Sequence, residues 1–189
     1  MPKYHFFFLS YEVWFICFVL AVLIGLYALP VSPKHKNLRN SGILKVMLVA
    51  LVWTGTTVII PVVASAISFS WDISLLILQR LILILILLIP FEIRDLDYDE
   101  LNLKTIPQRI GVSQTKNLGL LLSLIFFLIT FLKDDLSRLE IIGKTILFSI
   151  LIIMLLVTHR NQSKYFASFF VESIPICWLG ILIFLESYI

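Results

Sequence analysis

Apolar residues in this chain come in long uninterrupted blocks, without the apolar-polar alternation of barrel strands. Six blocks stand out, at about 13–31, 44–66, 73–90, 113–132, 141–157 and 166–187. A helix needs roughly 20 mostly apolar residues to cross the hydrocarbon of a bilayer. Lipid leaves an open strand edge unsatisfied, so each block is expected to be a helix. The pattern therefore predicts an all-α integral membrane bundle of about six spans. There is no internal repeat or low-complexity linker, so residues 1–189 are expected to form a single helical domain. Lys3 ahead of an apolar stretch imitates a signal peptide. The stretch is too long for that, and no small-residue cleavage site follows it, so it reads as a retained span.

Composition agrees: 60% of the residues are hydrophobic and 14% charged, against about 25% charged in soluble domains. The net charge of +3 is small, and the basic residues are scattered through short loops, which argues against a nucleic-acid partner. Membrane lipids are the expected surroundings. Cys17 and Cys177 lie in apolar runs without metal-ligand spacing and read as packing residues.

The basic residues do orient the chain. The face with loops 32–43, 91–112 and 158–165 carries Lys34, Lys36, Arg39, Lys45, Arg94, Lys104, Arg109, Lys116, Arg160 and Lys164. The other face carries Lys3, Lys133, Arg138 and Lys144. The positive-inside rule places the first face in the cytoplasm and both termini outside.

One segment breaks the apolar pattern. After the run ending at Pro90 come Glu92, Asp95, Asp97, Asp99 and Glu100. If Pro90 opens a helical turn, Glu92, Asp95 and Asp99 share an arc of about 60°, and Asp97 points about 140° away. Carboxylates so placed repel one another unless a cation lies between them. Their hard oxygens suit Mg²⁺, which typically takes one or two carboxylates and completes its shell with water and phosphate oxygens. Arg94, Lys104 and Arg109 could neutralise a phosphate group. On spacing alone the segment reads more readily as an acidic loop in solvent. An EF-hand is excluded, because Glu100 and Ile106 stand where glycine and glutamate would be required.

The segment resembles the second aspartate-rich motif of the UbiA superfamily of intramembrane prenyltransferases. Glu92, Asp95 and Asp99 match its acidic positions, Lys104, Thr105, Ile106 and Pro107 its tail, and Gly111 closes the segment. Glu92 replaces the usual aspartate, and Asn102 a usual glycine. The resemblance implies that Glu92, Asp95 and Asp99 hold Mg²⁺ against the diphosphate of a prenyl donor, whose isoprenyl group passes to an acceptor. Lys104 and Arg94 would bind the diphosphate, as would Arg39, although topology charge explains Lys34, Lys36 and Arg39 equally well; Asp97 would act indirectly or line the cavity. The family has nine helices, and the spans here resemble its helices four to nine. The family's first aspartate motif does not occur in the sequence. This implies a truncated or split member whose missing part, or a separate chain, would complete the site. A relative that keeps the fold without the chemistry is the alternative. The expected location is a plasma membrane, the bacterial inner membrane, with the acidic loop cytoplasmic.

Three further features are weighed on their own residues. Arg80, inside "LLILQRLILIL", is costly in lipid and either lines a cavity, pairs with a carboxylate or snorkels outward. Glu172 lines the cavity or lies near the headgroups. Trp53, Trp71 and Trp178 read as packing or interfacial-belt residues.

Overall fold

The computed structural model describes residues 10–28, 42–97, 103–163 and 165–188. Among them all regular structure is helical. The six long helices are α1 (Tyr11–Ala28), α2 (Ile43–Ala64), α3 (Trp71–Arg94), α4 (Ile106–Leu132, its last turn 3₁₀), α5 (Arg138–Val157) and α6 (Phe166–Ser187). Each is long and apolar enough to cross a bilayer. The chain divides into two compact units, Met1–Leu81 and Ile82–Ile189.

In the first unit, α1 is apolar on all sides, and only Val13 and Leu20 are buried. Leu20 packs where α2 has no side chain: a Cβ on Gly55 would lie 2.6 Å from its Cδ2. Gly55 opens a π-helical stretch, Gly55–Ile59. Pro61 follows, with no N–H for the carbonyl of Thr57 and a ring that crowds it. The wider π turn relieves that crowding. Thr56 and Thr57 bond back to the Val52 and Trp53 carbonyls at 2.7–3.1 Å, so their hydroxyls are satisfied without water. The same device recurs in α6, whose π-helical start, Phe166–Val171, ends four residues before Pro175.

The second unit is built around close helix contacts. Gly119 on α4 faces Ile89 on α3 and Leu155 on α5, and a Cβ there would meet a methyl of each at 2.8 Å. Small residues permit such approach between spans, where packing rather than the hydrophobic effect drives association. Ile86, Ile93, Phe126, Leu147, Leu151 and Leu155 fill the core. Phe127 and Phe148 stack with ring centroids 4.9 Å apart, and Leu182 of α6 fills the space beside Gly143.

Polar groups mark the helix ends. The Ser137 hydroxyl accepts the Glu140 N–H at the start of α5, a helix N-cap. Lys116, expected only as an orienting charge, donates to the Leu156 and Thr158 carbonyls at 2.9 and 2.8 Å. A cation there satisfies carbonyls left open at the C-terminus of α5 and complements its dipole.

Two boundaries differ from the sequence expectation. Pro90 opens no new helix; it lies inside α3, which continues to Arg94 and tightens to a 3₁₀ turn over Asp95–Asp97. The next span starts at Ile106 rather than near 113, and is broken at Gly111, where φ is 80° and ψ 162°. That conformation is open essentially only to glycine. Gly111→Ala is expected to cost about 1–3 kcal/mol, although open space surrounds the position. An unchanged midpoint in SDS unfolding would show that the break at Gly111 is not held.

Candidate functional site

The acidic segment begins inside a helix. Glu92 is buried, 5% exposed, in the last turn of α3. Asp95 follows one turn on, at the start of the 3₁₀ turn, and is half-buried. Two of the three expected metal-binding carboxylates therefore leave the end of one membrane-crossing helix on neighbouring turns. Asp99 and Arg39 lie outside the described residues. Asp97 ends the 3₁₀ turn.

Arg94 lies between them in sequence. Its Nε donates to Asp95 Oδ1 at 2.7 Å, its Nη1 donates to Ser168 Oγ at 3.1 Å, and its guanidinium lies 5.2 Å from the centre of the Phe91 ring. In this arrangement the Asp95 charge is balanced by its own neighbour. A metal ion at Asp95, or an anion at Arg94, would have to compete with that pair.

At the far end of the loop, Lys104 is exposed and takes a left-handed backbone, φ 53°. Its carbonyl accepts from Arg109 Nε at 2.8 Å. The Thr105 N–H donates to Gln108 Oε1 at 3.1 Å, the return half of a capping box, and Pro107 lies in the first turn of α4, where its missing N–H is harmless. The K-T-I-P stretch is thus the physical start of α4: an exposed cation, a cap and a proline. Arg109 turns back onto the backbone beside the lysine.

The remaining candidates lie elsewhere. Arg80 is half-buried in α3, twelve residues before Glu92 in the chain. Glu172 is exposed at the end of the π-helical start of α6. An apolar groove of about 290 Å³ runs between α5 and α6, lined by Ile150, Met154, Val157, Phe166, Ile174 and others, and Glu172 is not among them.

Three residues at or near these elements carry no sequence signal for their role. Gln162 Nε2 donates to the Pro90 carbonyl at 2.7 Å, Ser168 receives Arg94, and Lys144 is buried, 4% exposed. The Lys144 ammonium lies 4.8 Å from the Phe126 ring centre and 5.2 Å from that of Trp178. Trp178 is half-buried and packs against Lys144, and Lys144, counted in the sequence among the outer-face charges, lies between two rings.

Among the described residues no three His, Cys, Asp or Glu side chains group so that they could hold a metal ion. Glu92 and Asp95 contribute hard oxygens, the donor type Mg²⁺ takes when one or two carboxylates and phosphate oxygens complete its shell. The donor chemistry fits. Six membrane-length apolar helices and this polar corner define a multi-pass membrane protein. Compared with known proteins, the chain matches no family model, no curated protein and no solved structure.

Proposed function

We propose that the chain is a UbiA-like prenyltransferase, a fragment or divergent member, that transfers an isoprenyl group from a prenyl diphosphate to an acceptor. Its acidic loop faces the cytoplasm, in the bacterial inner membrane. The observation that carries this reading is the placing of Glu92 and Asp95 on adjacent turns at the end of a membrane-length helix, with the Lys104–Pro107 stretch opening the next one.

Glu92, Asp95 and Asp99 are assigned to Mg²⁺, and Lys104, Arg94 and Arg39 to diphosphate oxygens. Mg²⁺ would supply positive charge at the departing diphosphate. The chain's own part is to set the carboxylates on the fixed end of α3 and to present Lys104 from the cap of α4. Arg94 would exchange its Asp95 partner for the anion. Burial of Glu92 strengthens any charge it meets, because water does not screen it.

The second reading is a non-catalytic relative that keeps the fold. It is favoured by the Arg94–Asp95 pair, which already balances part of the site's charge within the chain. Asp95→Asn separates the two readings. It removes a metal-binding charge, so Mg²⁺-dependent retention of a prenyl diphosphate should fall at least about tenfold. Equal retention by parent and variant, with or without Mg²⁺, would refute the site assignment.

A further inference from the structure

We propose that Gln162 is a positioning residue for Glu92 and Asp95, acting through the end of the helix that carries both. The role rests on the reading of those carboxylates as metal ligands; the anchoring itself does not.

Pro90 weakens α3 one turn before the acidic segment. Its ring removes the N–H that would bond the Ile86 carbonyl and crowds that carbonyl. The residues after it would therefore be free to tilt. Gln162, buried in the turn between α5 and α6, meets this point. Its Nε2 donates to the Pro90 carbonyl at 2.7 Å, and its Oε1 accepts the His159 N–H at 3.4 Å. One amide thus ties the proline to the turn 72 residues further along the chain. The second tie is the Arg94–Ser168 contact, which is exposed and is given up if Arg94 turns to an anion. Gln162 is then an anchor that remains while the site is occupied. A metal site needs its ligands held by surrounding hydrogen bonds, and loss of such support typically weakens metal binding 10–100-fold.

The test uses the whole chain in nanodiscs, with Gln162→Leu, which keeps the volume and removes the donor. Ser123→Ala is the control: it also loses one buried side-chain bond, to the Gly119 carbonyl at 2.9 Å, but away from the acidic segment. Two readouts are taken: the Mg²⁺ concentration for half-maximal retention of fluorescent farnesyl diphosphate, and hydrogen exchange at the amides of residues 91–97. Gln162→Leu should raise the Mg²⁺ requirement about tenfold and speed exchange at 91–97; Ser123→Ala should do neither. If Gln162→Leu does not fold, Gln162→Asn, which keeps the amide one methylene short, should shift both readouts in the same direction. Unchanged exchange at 91–97 would overturn the anchoring. Faster exchange with an unchanged Mg²⁺ requirement, or an equal shift in Ser123→Ala, would overturn the positioning role. A parent that retains no ligand with Mg²⁺ would refute the functional reading, and with it that role, while the exchange data would still decide the anchoring.

Discussion

Gly119→Leu is expected to destabilise the protein by about 3 kcal/mol, the upper part of the usual range for overpacking. The α4 backbone at Gly119 lies so close to Ile89 and Leu155 that a single Cβ would meet their methyl ends at 2.8 Å. Those ends belong to flexible side chains, so Gly119→Ala can be accommodated by small rotations. Its cost is offset by the roughly 1 kcal/mol advantage of alanine over glycine inside a helix. Leucine adds three more carbons between the helices, and rotation cannot make that space. The Ser123 hydroxyl, bonded to the Gly119 carbonyl, would be displaced with the backbone. Unfolding in SDS should therefore place the alanine variant within about 1 kcal/mol of the parent and the leucine variant far below it. A leucine variant as stable as the parent would mean that α3, α4 and α5 do not meet at this glycine.

Lys144→Glu should be still more damaging, whereas Lys144→Met should be nearly neutral. Each desolvated cation–π contact contributes about 2 kcal/mol, and burying the ammonium costs several. An unbranched apolar side chain of like length gives up both, so replacement by methionine is expected to change stability by less than about 1.5 kcal/mol. A carboxylate carries the same desolvation cost but faces the negative surfaces of Phe126 and Trp178, and should cost about 3–5 kcal/mol. The pair of variants separates a cage for a cation from a merely crowded site. Equal losses for glutamate and methionine would contradict the cage.

The helices were legible in the sequence because membrane length and apolarity are properties of contiguous residues. All six spans could be located from hydropathy, with ends displaced by a few residues. The larger displacements have local causes. Pro90 looked like the start of a new turn, but proline is tolerated within membrane helices, and α3 runs through it to Arg94. Gly111 looked like the end of a loop and is instead a break within the helical run of α4. The acidic segment was visible as a composition anomaly, and of its residues Glu92 lies in the last turn of α3 and Asp95 opens the 3₁₀ turn that follows. Its contacts were not visible. Nothing in the spacing indicates that Arg94 turns to Asp95 and Ser168 rather than to an external anion. Gln162 could not be found because its partner is distant in the chain. The ring contacts of Lys144 were hidden for a related reason: counting charges near span ends assigns them to a side of the membrane, but does not say whether they face neighbouring helices.

The most direct test of the central claim is equilibrium retention of farnesyl diphosphate on the purified chain in nanodiscs, measured with Mg²⁺ and again with a chelator. If Glu92, Asp95 and Asp99 hold metal against a diphosphate, retention should be saturable with Mg²⁺ and fall at least about tenfold without it. Retention that is the same in both conditions would show that only the apolar tail is bound, and the prenyltransferase reading would be contradicted.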